Sequence, residues 1–212
     1  MHELLARWQR GWSRSRGWTN YTETDHVIAV QIGEPDRQVE YFTTDQYAEG
    51  AARMTLAAPH PPGSARLAVI TPDPVRVAEA LHPLKIVRTL WLMSTPLADH
   101  PQHPIPPEYE LHQTTSAGLI HAELRHHGPR NPGRVAATGR IAIDGTDAVA
   151  DMIRTEPAHR RRGLAQALMS TLTTQAQLQG ATTGLLLASP EGHLLYTSLH
   201  WTPQHQLVFA TT

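Results

Sequence analysis

The stretch that most constrains this chain runs from residue 134 to residue 179, RVAATGRIAIDGTDAVADMIRTEPAHRRRGLAQALMSTLTTQAQLQ. RVAATGRIAI and DAVADMIRT are rich in β-branched and small apolar residues and flank Asp144-Gly145, a strong hairpin-turn pair. The second strand then meets three arginines and a glycine, HRRRG, and a helical pattern begins at once. Leu164, Leu168 and Leu172 fall at i, i+4 and i+8 with Ala165 and Met169 beside them, so one face is apolar. Gly180 is placed to end that helix.

A strand that enters a tight turn and then a helix leaves unbonded N–H groups at the helix start, and these with the helix dipole attract an anion. Gly163 lets the backbone approach a phosphate, Ala165 keeps the first turn narrow, and the arginines add charge at the rim. A basic run of this kind also suits nucleic acid. Formal net charge is −1, however, and no aromatic residues are interleaved with the arginines, so nucleic acid is not expected as a partner.

The remaining composition narrows the class. With no cysteine, disulfides and thiolate metal sites are excluded. His100 with His103, and His126 with His127, are too loosely spaced and lack an acidic residue to complete a set, so no metal is expected. The opening MHELLARWQRGW is too polar for a signal peptide, and no apolar run approaches the ~20 residues that span a bilayer. The expectation is a cytoplasmic protein without a membrane partner.

The chain divides at PLADHPQHPIPP, residues 96–107, which holds five prolines and reads as a linker or extended crossover. Residues 1–95 read as a helix (HELLARWQRGW), strands VIAVQI and VEYFTT around the turn Gly33-Glu34-Pro35-Asp36, and a helix over DQYAEGAARMTLAA capped by Asp45. Strand RLAVITP, a short helix PVRVAEALHPL and strand TLWLMS follow. Residues 108–212 add strands YELHQTT and GLIHAELRHH before the hairpin, strand TTGLLLA after the long helix, and a helix beginning at Ser189-Pro190-Glu191. HWTPQHQLVFA closes the chain as strand.

Two motifs carry a family resemblance. Arg160-x-x-Gly163-x-Ala165 matches the Arg/Gln-x-x-Gly-x-Gly/Ala signature of the GNAT superfamily of acyl-CoA-dependent acyltransferases. After the next strand, family members tend to read Asn-x-x-Ala-x-x-x-Tyr-x-x-x-Gly-Phe. This chain has Ser189-x-x-Gly192-x-x-x-Tyr196-x-x-x-His200-Trp201, which keeps the tyrosine and departs at three positions. The whole resembles a bacterial GNAT type with WQRGW near its start and a proline-rich middle.

The resemblance implies an α/β (α+β) GNAT fold, a mixed and mostly antiparallel sheet with flanking helices, over 108–212. It also implies a smaller, degenerate α/β GNAT-like half over 1–95. The amides of Arg161, Arg162, Gly163, Leu164 and Ala165, with Arg160, would hold the diphosphate of acetyl-CoA, and Ile153, Arg154 and Thr155 would pair with its pantetheine arm. Ser189 would lie at the cofactor with Tyr196, the candidate general acid for the leaving thiolate.

Asp151 is the candidate base, with Glu156 and His121 behind it. Strand alternation places Asp151, Ile153 and Thr155 on one face and Met152, Arg154 and Glu156 on the other. The implied reaction is N-acetylation of a primary amine, first a small molecule, by direct attack in a ternary complex. A protein N-terminus or lysine as acceptor, or a non-catalytic acyl-CoA sensor, are the alternatives, and a homodimer is left open. GNAT domains place two helices between their first two strands. Here only Ser116-Ala117-Gly118 separates them, so residues 1–95 are expected to supply the missing acceptor wall.

Overall fold

The structure, a computed structural model, describes residues 1–24, 26–128 and 133–212. The described chain forms two compact units. One comprises Met1–Leu92, Ala188–Pro190 and Pro203–Thr212, and the other Met93–Leu187 and Glu191–Thr202.

In the first unit, helix α1 (His2–Arg16) ends at Gly17, whose φ of 75° lets Gly17 and Trp18 return N–H bonds to Arg14 and Ser13. Strands β1 (Tyr21–Glu23), β2 (Val27–Glu34) and β3 (Arg37–Thr44) form an antiparallel run. Helix α2 (Ala48–Ala57) follows, then β4 (Ala65–Thr71), helix α3 (Pro74–Ala80) and β5 (Lys85–Pro96). Strand β4 lies parallel to β3 and antiparallel to the last strand of the chain, Thr202–Thr211, named β11 below.

Alternation along β3 and β4 gives this sheet two apolar faces. Phe42 meets Trp8 and Trp12 of α1, with ring centroids 5.8 and 5.4 Å away. On the other face Leu67 and Val69 pack with Ala48, Ala51, Ala52, Val77 and Leu81. The helix expected from Asp45 starts later, at Ala48, because Asp45 opens a 3-10 turn, Asp45–Tyr47. The Asp45 carboxylate accepts a hydrogen bond from Thr71 at 3.4 Å rather than capping the helix.

In the second unit β5 ends in a 3-10 turn, Leu97–Asp99. The proline-rich segment then lies bonded along the long helix. Ser170 donates to the Pro101 carbonyl at 3.0 Å and accepts from the His103 amide at 2.9 Å. Strands β6 (Tyr109–Ser116), β7 (Leu119–His126), β8 (Arg134–Asp144) and β9 (Asp147–Thr155) form an antiparallel meander. Helix α4 (Leu164–Leu178) crosses to β10 (Thr183–Ala188), which pairs parallel with β9, as a helical crossover allows. Helix α5 (Pro190–Ser198) and β11 complete the chain.

Residues 96–107 do not stand apart as a separate segment. That segment joins the second unit, and Pro203–Thr212 returns to the first because β11 pairs with β4. Each unit is mixed α/β, a mostly antiparallel sheet with flanking helices, which is the expected fold class. The β6–β7 turn is as short as the sequence suggested: Ala117 and Gly118 both have positive φ, 48° and 76°, the pattern of a two-residue hairpin. Among the described residues no helix is long and apolar enough to cross a membrane.

Candidate active site

Strand β9 carries one irregularity. Arg140 pairs with Asp151 and Thr138 with Arg154, so Gly139 alone faces Met152 and Ile153, and Met152 has φ 55°. This β-bulge breaks the expected alternation. Residues paired across an antiparallel ladder share a face. Asp151 therefore shares its face with Arg154, Arg140 and Thr138, while Ile153 turns to the other. A Cβ built on Gly139 would lie 2.5 Å from Ile153 Cδ1 and 3.1 and 3.3 Å from Leu168 and Leu172. The Ile153 face is thus the one beneath α4. A period-2 reading cannot register an extra residue in one strand.

The face opposite α4 is polar. His121 pairs with Arg140, and Glu123 with Thr138. His121 Nε2 is 3.0 Å from Thr138 Oγ1. Of the base candidates, Glu156 pairs with Arg154 at 3.3 Å. Asp151 is half-buried and interacts electrostatically with Tyr196.

Beyond β9, a 3-10 turn, Pro157–His159, leads into the arginine loop. Arg160 folds back, its Nε 3.4 Å from the Thr155 carbonyl. Arg161 and Gly163 have left-handed φ values of 62° and 76°. Gly163 is the N-cap of α4 and offers no side-chain cap, while its carbonyl accepts the first helical bond from Ala167 at 3.0 Å. The first amides of α4 therefore have no helical partner.

A Cβ on Gly163 would meet only Gln166 Oε1, at 3.7 Å. Arg160, Arg161, Arg162 and Gly163 are exposed, Leu164 is buried in the core and Ala165 is half-buried. The loop is an open, electropositive surface of backbone donors, which suits a diphosphate. The helix ends as Gly180 implied: Gly180 has φ 91°, and Gly180 and Ala181 donate to Gln177 and Ala176.

Tyr196 lies on α5 and is buried, 7 % exposed. Burial first, and the Asp151 charge second, hold its phenol well above the ordinary tyrosine value, so it is un-ionised at physiological pH. Helix α5 ends with His200 at φ 64°, where Trp201 donates its amide to the Tyr196 carbonyl at 3.0 Å and His200 donates to Thr197 at 3.1 Å. The His200 ring Nδ1 sits 3.1 Å from the Asp99 carbonyl. The Trp201 ring packs over Gly184, where a Cβ would stand 2.6 Å from it. Ser189 immediately precedes α5 and is exposed.

Sequence reasoning missed the support of the arginine loop. Tyr109, at the start of β6, contacts both His159 and Arg162. More than 45 residues separate it from either, and no local pattern marks the contact.

The family model described as "Acetyltransferase (GNAT) family" matches residues 86–197, just over half of the chain. None of the curated proteins compared matches the sequence. Among solved structures, a GCN5-related N-acetyltransferase from Kribbella flavida superimposes with a TM-score of 0.71 at 15% identity, covering 99% of this chain and 94% of that one. One from Sphaerobacter thermophilus gives 0.63 at 13% identity, covering 99% and 91%. A tandem GNAT protein from the clavulanic acid biosynthesis pathway gives 0.54 at 13% identity, covering 79% and 67%. At these identities the likeness is one of fold.

Proposed function

Because the chain belongs to the acetyltransferase (GNAT) family, we propose that it moves an acetyl group from acetyl-CoA to a primary amine of a small molecule, by direct attack within a ternary complex. The observation that carries this reading is the open left-handed Gly163 at the start of α4, in the same unit as a buried, neutral Tyr196 beside Asp151. When bound, acetyl-CoA supplies the activated acyl carbon. The amides from Arg161 to Ala165 bind the diphosphate, with Arg160, Arg161 and Arg162 adding charge. Residues Ile153 to Thr155 offer backbone groups to the pantetheine arm, and Ser189 borders it.

The chemistry then needs two proton movements. The amine nitrogen forms its bond to the acetyl carbon as the C–S bond breaks. Tyr196 gives its hydroxyl proton to the departing sulfur. Asp151 takes the proton lost by the amine, directly or through water. No step needs a covalent enzyme intermediate, in keeping with the absence of cysteine. The polar face holding His121, Glu123, Arg140, Asp151 and Arg154 is the surface on which a small polar amine would be oriented.

We read residues 1–95 as a degenerate GNAT-like half, a reading supported by the tandem GNAT protein among the structural relatives. The sensor alternative draws on two departures in the second motif, Ser189 for asparagine and His200 for glycine. The backbone at His200 argues against it, since His200 takes up the left-handed conformation a glycine would adopt and leaves the α5 ending intact. The test is release of free thiol from acetyl-CoA across a panel of amines, amino acids and peptides. Amine-dependent release is expected with small amines. Release only with peptides would favour a protein acceptor, and binding without release would favour a sensor.

A further inference from the structure

The arginine loop leans on a cluster that no motif marks. Tyr109 is buried, and its hydroxyl lies 3.0 Å from His159 Nδ1. Arg162 Nη1 donates to the same hydroxyl at 3.3 Å. A guanidinium can only donate, so the Tyr109 oxygen accepts from Arg162, and its single proton is left available to the unprotonated Nδ1 of a neutral His159. His159 is then neutral, with its own proton on Nε2.

The surroundings favour that state. Burial first, then the charges of His126, Arg162 and Arg134, hold His159 below the ordinary histidine value, against a smaller opposing effect of Glu156. The His126 ring sits 5.3 Å from both the Tyr109 and the His159 rings. Its Nδ1 is buried and has no hydrogen-bond partner among the described residues.

We propose that Tyr109 is a positioning residue for acyl-CoA binding: it anchors Arg162 through one guanidinium nitrogen so that the remaining N–H donors are preorganised beside the anion loop. This rests on the acyl-CoA reading above. Arg162 is otherwise exposed and adjoins Gly163 in the chain. An unanchored arginine would have to be ordered at the moment of binding, and fixing it beforehand removes part of that cost. A guanidinium fork held in one orientation also suits the paired oxygens of a diphosphate. Tyr109 touches no reacting atom in this scheme, so its effect belongs in KM and not in kcat.

The test is a double-mutant cycle read by calorimetric titration of coenzyme A into wild type, Tyr109→Phe, Arg162→Met and the double variant. Each single change should weaken binding by about 3- to 10-fold, and the double variant should be no weaker than Arg162→Met alone. Tyr109→Phe should keep the wild-type kcat at saturating acetyl-CoA. Unchanged affinity in either single variant, additive losses, or a fall in kcat would overturn the proposal.

A wild-type readout stands apart from the folding of any variant. Imidazole nitrogen shifts should show His159 neutral and protonated on Nε2 at neutral pH, and a proton on Nδ1 would overturn the proposal. If wild type itself fails to bind coenzyme A, the acyl-CoA reading falls together with this one. If wild type binds and the variants match it, only this one falls.

Discussion

The Asp151 carboxylate and the Tyr196 phenol interact electrostatically, and the carboxylate adds to the burial that keeps the phenol protonated. Asp151→Asn removes one of the two causes and leaves the other. The Tyr196 phenol should then ionise at lower pH than in wild type, yet still above ordinary tyrosine. Ultraviolet titration, with Tyr196→Phe subtracted, reads this directly. An unchanged titration would separate the two groups. The same variant should lower kcat, because the amine proton loses its acceptor.

Tyr196→Phe should reduce turnover by about 100- to 10,000-fold, the usual worth of a general acid, with little change in affinity for coenzyme A. The sign of the pH dependence follows from the raised phenol. Tyr196 stays protonated through neutral and mildly alkaline pH, so the wild-type kcat profile should show no loss from its ionisation below pH 10, the ordinary tyrosine value. A Phe variant with full turnover would remove Tyr196 from the mechanism.

Gly139→Ala should act through the bulge. Its Cβ would fall 2.5 Å from Ile153 Cδ1, with Leu168 and Leu172 close behind. Overpacking of this kind costs about 1–3 kcal/mol, and the flexible end of Ile153 places the cost toward the lower end. The displaced atom belongs to the strand segment assigned to the pantetheine arm, so KM for acetyl-CoA should rise as well. Chemical denaturation and steady-state kinetics check the two effects. A neutral substitution in both would show that the bulge does not need a glycine opposite it.

His100 should give the fold an acid-sensitive limb. It is buried beside Trp201, and burial lowers its value to about 4 from an ordinary 6.5, against an opposing contribution from the backbone of Pro101 and with further lowering from His103 and His200. Above pH 6.5 the folded and unfolded states both carry it neutral, and it adds no pH dependence. Between 6.5 and about 4 the unfolded chain takes up a proton that the folded chain refuses, so stability falls as pH falls. His100→Phe should flatten that limb in denaturation curves taken at pH 7, 6 and 5. An unaltered slope would show that His100 is hydrated in solution.

The parts of the site that were legible in sequence are the local ones. Asp144-Gly145 marks the hairpin, Gly163 and Gly180 mark the ends of α4, and the tyrosine of the second motif falls on the buried face of α5. Each depends on residues within one or two turns of chain. What was not legible depends on partners far away in sequence. The bulge at Met152-Ile153 is defined by the opposing Gly139, the late start of α2 by the bond from Thr71 to Asp45, and the hold on Arg162 by Tyr109. At position 200 histidine stands where family members tend to have glycine. In the structure His200 takes the left-handed conformation itself and lies close to Asp99 through its ring.

The most direct test of the account is the backbone amide spectrum of the isotopically labelled protein on addition of coenzyme A. The amides of residues 161–165 should show the largest shifts, because they are the donors left without helical partners at the start of α4. Gly163→Val, a branched residue forced into a left-handed φ of 76°, should abolish those shifts while the spectrum of the β6–β9 meander stays folded. Saturable binding that leaves 161–165 unmoved, or that persists unchanged in Gly163→Val, would contradict the assignment of this loop as the acyl-CoA site.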